Sequence, residues 1–221
     1  MTSEPYNVIG DIAGNFLTLQ ALLKKMPSAK VLSVGDMVDR GPRSRQVLEF
    51  FRTQGEALLG NHEHMMLCYL KGSSHGGYYS AGCQDWLHNG GDKTLKSYGA
   101  TPVPALYRPH RAAGEQADLS GNRWEGADVP PEVVPYLESL PVYNILEYPA
   151  LRVLVSHAPQ TPSLRAARFI DQIWERDYPE RIKGFDLNLY GHNSRGRDDV
   201  DAGGLFARCL DTCSAKVLTG I

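Results

Sequence analysis

Five short apolar runs of this chain each end on a residue able to hold a metal ion, and that repetition limits the fold more than any other feature. Val31-Leu32-Ser33-Val34 runs into Gly35-Asp36-Met37-Val38-Asp39-Arg40-Gly41. Tyr6 to Gly10 ends in Asp11, Ala57 to Gly60 in Asn61-His62, Leu151 to Ser156 in His157, and Leu187 to Gly191 in His192. Such runs read as buried strands, and in open α/β sheets ligands collect at the carboxyl ends of strands. In four of the five the ligand follows a glycine, which lets the backbone turn sharply beside an ion. The donor set of Asp, Asp, Asn, His and His has oxygen and nitrogen without sulfur, which suits Mn²⁺, Fe or Zn²⁺. Asp36 and Asp39 with Arg40 beside them point to a metal and a phosphate sharing one site. A single Asp at a strand end is more often a helix cap or a turn residue; five ordered instances outweigh that reading.

The blocks Gly10-Asp11-Ile12-Ala13-Gly14-Asn15, Gly35 to Gly41, Gly60-Asn61-His62-Glu63, His157-Ala158-Pro159 and Tyr190-Gly191-His192 resemble the ordered motifs of the metal-dependent phosphoprotein phosphatases, within the calcineurin-like metallophosphoesterases. The resemblance is closest to the bacterial and phage branch typified by the phage lambda phosphatase. Trp86-Leu87-His88-Asn89-Gly90-Gly91 and Trp174-Glu175-Arg176-Asp177 extend it over nearly the whole chain. It implies an α/β fold of two mixed β-sheets packed as a sandwich and flanked by α-helices.

It also implies roles. Two divalent ions, Mn²⁺ in first place and Fe or Zn²⁺ as alternatives, would clamp an attacking hydroxide and a phosphoryl oxygen. Asp36 would bridge both ions, Asp11 hold the first, and Asn61, His157 and His192 hold the second. His62 resembles the general acid of the family and Asp39 the carboxylate that orients it. Arg40, Arg176 and Asn61 would grip the phosphate, the two arginines as planar forks. An ion pair of Arg176 with Asp177 or Glu180 is the bland alternative. His64, His75, His88 and His110 lack such context and read as surface or packing residues.

One position departs from the pattern. Where the family carries a histidine ligand for the first ion, this chain has Ala13. The first ion then keeps only Asp11 and Asp36 from the protein, and its binding weakens. Either this is an engineered, deliberately weakened variant of an active enzyme or a natural relative with one metal or none; the intact His62, Asp39, Arg40, Asp36 and Asn61 favour the first.

The activity implied is hydrolysis of phosphomonoesters on Ser or Thr of a phosphoprotein, or on a small phosphomonoester. The rivals are a diadenosine tetraphosphate hydrolase of the same superfamily and a catalytically dead phosphoprotein-binding module. The hydrolase branch typically has Ala at the place of Asp39 and Asp at that of Glu63, which leans the motifs toward phosphoprotein.

With 221 residues and a formal charge of −2, the chain reads as one domain over residues 1–221, without the clustered basic surface that nucleic acid requires. The local arginines Arg165, Arg168, Arg195 and Arg197 read as solvated surface. No apolar stretch approaches a membrane span, and residues 1–5 lack the features of a signal peptide. A cytoplasmic, monomeric protein is expected. The four cysteines have no CxxC spacing and read as reduced structural thiols.

Along the chain, helical spacing of Phe16, Leu19, Leu22, Leu23 and Met26 after a capping Asn15 predicts a helix stopped by Pro27. A second helix is expected from about Pro42 to Thr53, with Val47, Leu48 and Phe51 inward, and a third after Glu63 with a core-packing Met65-Met66. The resulting β-α-β-α-β start implies neighbouring parallel strands. Residues 72–82 read as an irregular surface loop, 101–131 as an excursion without regular structure, and 131–140 as a helix kinked at Pro135. A hairpin of 142–147 with 151–156, a helical stretch at 163–176, and strands at 186–190, 204–210 and 215–219 follow.

Overall fold

A computed structural model of the chain describes residues 4–71, 86–104, 122–160, 171–176, 179–194, 196 and 198–212. The first half is built as the alternation of strand and helix predicts. Strands β1 (Tyr6–Ile9), β2 (Lys30–Ser33) and β3 (Glu56–Ala57) lie side by side and parallel, with Val8 beside Leu32 and Ser33 beside Ala57. Parallel neighbours need a crossover of a dozen residues or more, and helices α1 (Phe16–Leu23) and α2 (Ser44–Gln54) provide it. Val47, Leu48 and Phe51 are the buried apolar side chains of α2.

Helix α3 (Asn61–Leu70) follows β3, a 3₁₀ turn covers Leu87–Asn89, and α4 spans Gly91–Ser97. After α5 (Val133–Ser139), strands β6 (Tyr143–Tyr148) and β7 (Leu151–Ser156) form the expected hairpin, turning at Pro149 and Ala150. The short helix α6 (Asp171–Trp174) precedes β8 (Leu187–Tyr190), which pairs parallel with β7. Strand β10 (Gly204–Cys209) lies parallel to β8, and β9 (Asp198–Asp201) runs antiparallel at the edge. The sheet order is β6-β7-β8-β10-β9.

One apolar cluster joins Val8, Leu32, Val34 and Leu58 to Leu146, Val153, Val155, Leu189 and Leu210, so the two sheets share a core. Each such side chain contributes about 1.5–3 kcal/mol on burial. A second, larger cluster fills the space between the first sheet and the helices, with Leu19, Phe51, Met65, Met66, Trp86 and Leu137 fully buried in it. This is the α/β architecture of mixed sheets and helices expected from the sequence.

Several local expectations are corrected. Asn15 does not cap α1 with its side chain; its amide donates to the carbonyls of Ile12 and Ala13 at 3.0 and 3.1 Å and ties down the loop that precedes the helix. Pro135 falls in the first turn of α5, where a missing N–H breaks no helical bond. Within 101–131, β4 (Thr101–Pro104) pairs antiparallel with β5 (Asn122–Glu125). Two prolines hide that strand in the sequence; an isolated two-stranded ribbon tolerates them on its outer side. The edge strand β9, rich in Asp, gave no apolar signal at all.

Cys209 is a buried free thiol, whereas Cys68 is disulfide-bonded to a partner outside the described residues. Spacing along the chain does not reveal which sulfurs the fold brings together. The expectations for residues 72–82 and 215–219, for His75 and His110, and for Arg165, Arg168, Arg195 and Arg197 lie outside the described residues. Among the described residues no helix is long and apolar enough to cross a membrane.

Candidate metal centre and phosphate site

The loops at the strand ends carry the strain of the molecule. Among the described residues, Ala13, Asp36, Asp39, Arg40, His192 and Ser194 are the non-glycine residues with positive φ, at 46, 51, 73, 58, 68 and 46°. Each such conformation costs on the order of 1 kcal/mol or more and persists only where the surroundings impose it. The helix expected after Glu63 begins earlier: Asn61 and His62 form the first turn of α3, so the helix itself aims them.

Four of the five expected ligands converge. Asn61 Oδ1 lies 3.0 Å from His157 Nε2 and 2.9 Å from His192 Nδ1. Asp36 Oδ1 is 3.3 Å from the same His157 nitrogen. His157 donates its Nδ1–H to the Val34 carbonyl at 3.1 Å, which leaves Nε2 of the neutral ring as a lone pair. An amide oxygen and a carboxylate oxygen thus each face the bare ring nitrogen with no proton between. Such acceptors repel unless a cation joins them. Donors around an octahedral ion at 2.0–2.1 Å sit roughly 3 Å apart along each edge, and that is the spacing found. Asp36, His157 and His192, all buried, offer ligand atoms within 4.8 Å of one another. The buried His192 Nε2 has no hydrogen-bond partner.

The electrostatics agree. Burial works against a charge on Asp36, but His157, His62 and His192 around it hold its carboxyl down at about 2. Burial lowers His157 and pushes His192 down to about 3, so both rings are neutral and free to ligate at neutral pH.

Asp11 stands to one side of this cluster. Both of its oxygens accept the His192 N–H, at 3.1 and 3.2 Å, so the carboxylate fixes the left-handed backbone from which the histidine projects. A Cβ on Gly191 would strike Asp11 Oδ1, which is why glycine stands there. Burial, with Asp36 and Asp211 nearby, raises the Asp11 carboxyl well above the usual range. Ala13, buried and left-handed in the same loop, offers only a methyl group.

On the other side of Asp36 the residues expected to handle the proton and the phosphate lie together. His62 donates Nδ1–H to Asp39 Oδ2 at 2.5 Å. Arg40, exposed, places Nη2 3.0 Å from His62 Nε2. A guanidinium can only donate, so His62 Nε2 accepts here and the ring is neutral. Burial would lower His62, but the Asp36 and Asp39 carboxylates outweigh it and raise it. Burial also raises Asp39, opposed by its hydrogen bonds from His62, Thr94 and Trp86. Arg176 is exposed and makes no ion pair with Glu180 among the described residues. Its guanidinium charge is near enough to contribute to the lowering of His192, after burial and His157.

Three participants received no role from the sequence, although Trp86 and Glu63 stand in its motif blocks. Trp86 Nε1 donates to Asp39 Oδ2 at 2.8 Å and Thr94 Oγ1 to Asp39 Oδ1 at 2.6 Å. Glu63 accepts the N–H groups of Asp36, Met37, Val38 and Gly60 at 2.8, 2.7, 3.1 and 3.1 Å, locking the Asp36 loop to the start of α3. The Glu three residues after Gly60 has the spacing of a capping box and was the available signal. Burial and the Asp36 charge raise Glu63 to about 8, yet each oxygen accepts two N–H groups, a pattern that only the anion satisfies in full. Glu63→Gln turns an NH₂ toward two of those donors. It is expected to lower the unfolding free energy by roughly 3 kcal/mol, read as an earlier urea midpoint. A loss below about 0.5 kcal/mol would contradict this role for the carboxylate.

The pattern of the calcineurin-like phosphoesterases matches residues 5–196. The chain belongs to that family. A segment of the chain is similar to symmetrical bis(5'-nucleosyl)-tetraphosphatases. The protein of Shewanella baltica is 46% identical over 71 residues, 28% of this chain and 26% of the relative. That of Shewanella putrefaciens is 42% identical over the same length and shares. The match spans about a quarter of the length of these relatives. Among solved structures, a candidate diadenosine tetraphosphatase superposes with a TM-score of 0.60 at 18% identity, covering 100% of this chain and 94% of the other. The cold-active protein-tyrosine phosphatase of a psychrophilic Shewanella superposes with a TM-score of 0.53 at 18% identity, covering 96% and 72%. Likeness at that identity speaks for the shared fold. Family membership and the buried donor cluster thus point to the same strand-end loops.

Proposed function

We propose that the phosphoesterase transfers a phosphoryl group to water, and that Asp36, Asn61, His157 and His192 would hold one divalent ion and Asp11 with Asp36 a second. The observation that carries this is that an Asn61 and an Asp36 oxygen both face the unprotonated Nε2 of His157. Mn²⁺ suits the mixed oxygen and imidazole set. Ions there supply charge neutralisation at the phosphoryl oxygens and make water acidic enough to attack near neutral pH.

The chain's own residues do the rest. Arg40 leaves His62 Nε2 for the phosphate oxygens, where its planar fork fits, and Arg176 closes on the same group from the side of His192. Freed of Arg40, His62 Nε2 takes up a proton, favoured by Asp39 and Asp36. As the phosphorus–oxygen bond to the leaving group breaks, the electron pair stays on that oxygen and receives the Nε2 proton. The attacking water forms the new phosphorus–oxygen bond and gives up the proton that restores His62.

For the substrate, the relatives move a dinucleoside tetraphosphate, split symmetrically, ahead of the phosphoprotein suggested by the motifs. Supporting it is the 46% identity over 71 residues with enzymes bearing that name. One observation favours the phosphomonoester reading: the Asp39–His62 pair is fully assembled, and an acid is needed most when the leaving group is a poor one such as an alkoxide. Comparing diadenosine tetraphosphate with a phosphoserine peptide, at equal enzyme and Mn²⁺, decides between them. The first reading expects ADP as sole product and a kcat/KM at least tenfold higher than for the peptide. The reverse ratio, or AMP with ATP, would overturn it.

A further inference from the structure

The segment from Trp86 to Thr94 contributes no metal donor, yet it encloses Asp39 and Arg40. Trp86 Nε1 and Thr94 Oγ1 donate to opposite oxygens of the Asp39 carboxylate. Thr94 Oγ1 also accepts the Asp39 N–H at 2.9 Å and lies 3.0 Å from Ser44 Oγ, which accepts the same N–H at 3.0 Å. The Gly90 carbonyl accepts the Arg40 N–H at 3.2 Å, and Gly90, at φ 105°, packs so closely that a Cβ there would come within 2.8 Å of that nitrogen. Asp39 and Arg40 are therefore held in left-handed conformations by this segment. Trp86, Thr94, Ser44 and Asp39 are all fully buried, so water does not compete for these bonds.

Resting on the acid role proposed for His62, we infer that Thr94 and Trp86 are positioning residues that set the Asp39 carboxylate for His62 and thereby govern proton delivery to the leaving oxygen. A carboxylate is free to rotate about its last bond. With one oxygen taken by Thr94 and the other shared by Trp86 and His62, that rotation is blocked, and the imidazole is fixed in a single plane. General acid catalysis contributes about 10²–10⁴-fold and depends on such placement. The effect should show only where the leaving group needs the proton.

The test uses the full chain at saturating Mn²⁺ with phenyl phosphate, a poor leaving group, and p-nitrophenyl phosphate, a good one. Thr94→Val keeps the shape and removes the hydroxyl. It is expected to lower kcat for phenyl phosphate roughly tenfold, a part of the acid's contribution, with little change in KM and less than about a threefold loss on p-nitrophenyl phosphate. Thr94→Ser, which keeps the hydroxyl, should restore the phenyl phosphate rate. Trp86→Phe should shift the ratio the same way and carries the comparison should Thr94→Val fail to fold. His62→Asn serves as the reference. If His62→Asn is selective for the poor leaving group and neither Thr94→Val nor Trp86→Phe is, the inference is overturned and the acid role stands. If His62→Asn slows both substrates equally, the acid role fails and the inference falls with it, leaving the metal centre untouched.

Discussion

Asp36→Asn is expected to lower phosphate-ester hydrolysis on the order of a thousandfold and to end retention of a divalent ion after desalting. Asp36 is the group on which the centre depends most. Its Oδ1 accepts the His62 N–H at 3.0 Å and lies 3.3 Å from His157 Nε2, and its carbonyl accepts the N–H groups of Ile12 and Ala13. The side-chain amide has nearly the same shape, so the loop and the first turn of α3 should survive. What disappears is the negative charge, which this buried carboxyl keeps because its pKa lies at about 2. Charge stabilisation by a bound ion is worth several kcal/mol in a phosphoryl-transfer transition state, and each 1.36 kcal/mol is tenfold in rate. Metal content and p-nitrophenyl phosphate turnover, measured on the same desalted sample, should fall together. Retained metal with lost turnover would place the ion elsewhere.

Ala13→His is expected to act in the opposite direction. The loop already holds this residue buried at φ 46°, a region that histidine enters more readily than β-branched residues do. An added imidazole would give the position between Asp11 and Asp36 a third protein donor. Altered partners of a metal typically change affinity 10–100-fold, and a direct ligand should do at least that. The half-saturating Mn²⁺ concentration for p-nitrophenyl phosphate hydrolysis should drop by that factor, with the rate gain largest at limiting metal. An unchanged half-saturation would mean that Asp11 serves His192 alone and holds no ion.

The strand ends were legible because each ligand sits directly after an apolar run, and period and glycine placement survive in any sequence. Asp11, Asp36, Asn61, His157 and His192 were found that way, and four of them meet. Asp39 and His62 were found as a pair only through the resemblance, since 23 positions of separation carry no local signal. The roles of Trp86, Thr94 and Glu63 were missed for a related reason. Their roles are hydrogen bonds to backbone or to another functional side chain, formed across folds of chain rather than along it. Strand β9 and the ribbon of β4 with β5 were missed because Asp and Pro mask strand periodicity where one edge meets solvent. The Asn15 side chain illustrates the same limit on a smaller scale: cap and loop tie use the same residue type, and only geometry separates them.

Anomalous diffraction from crystals grown with Mn²⁺ would locate the ion. A strong peak is expected within about 2.0–2.4 Å of Asp36, Asn61, His157 and His192 donors, with a weaker one on the Asp11 side of Asp36. A site left empty at millimolar Mn²⁺, or an ion bound away from these four residues, would contradict the proposed metal centre.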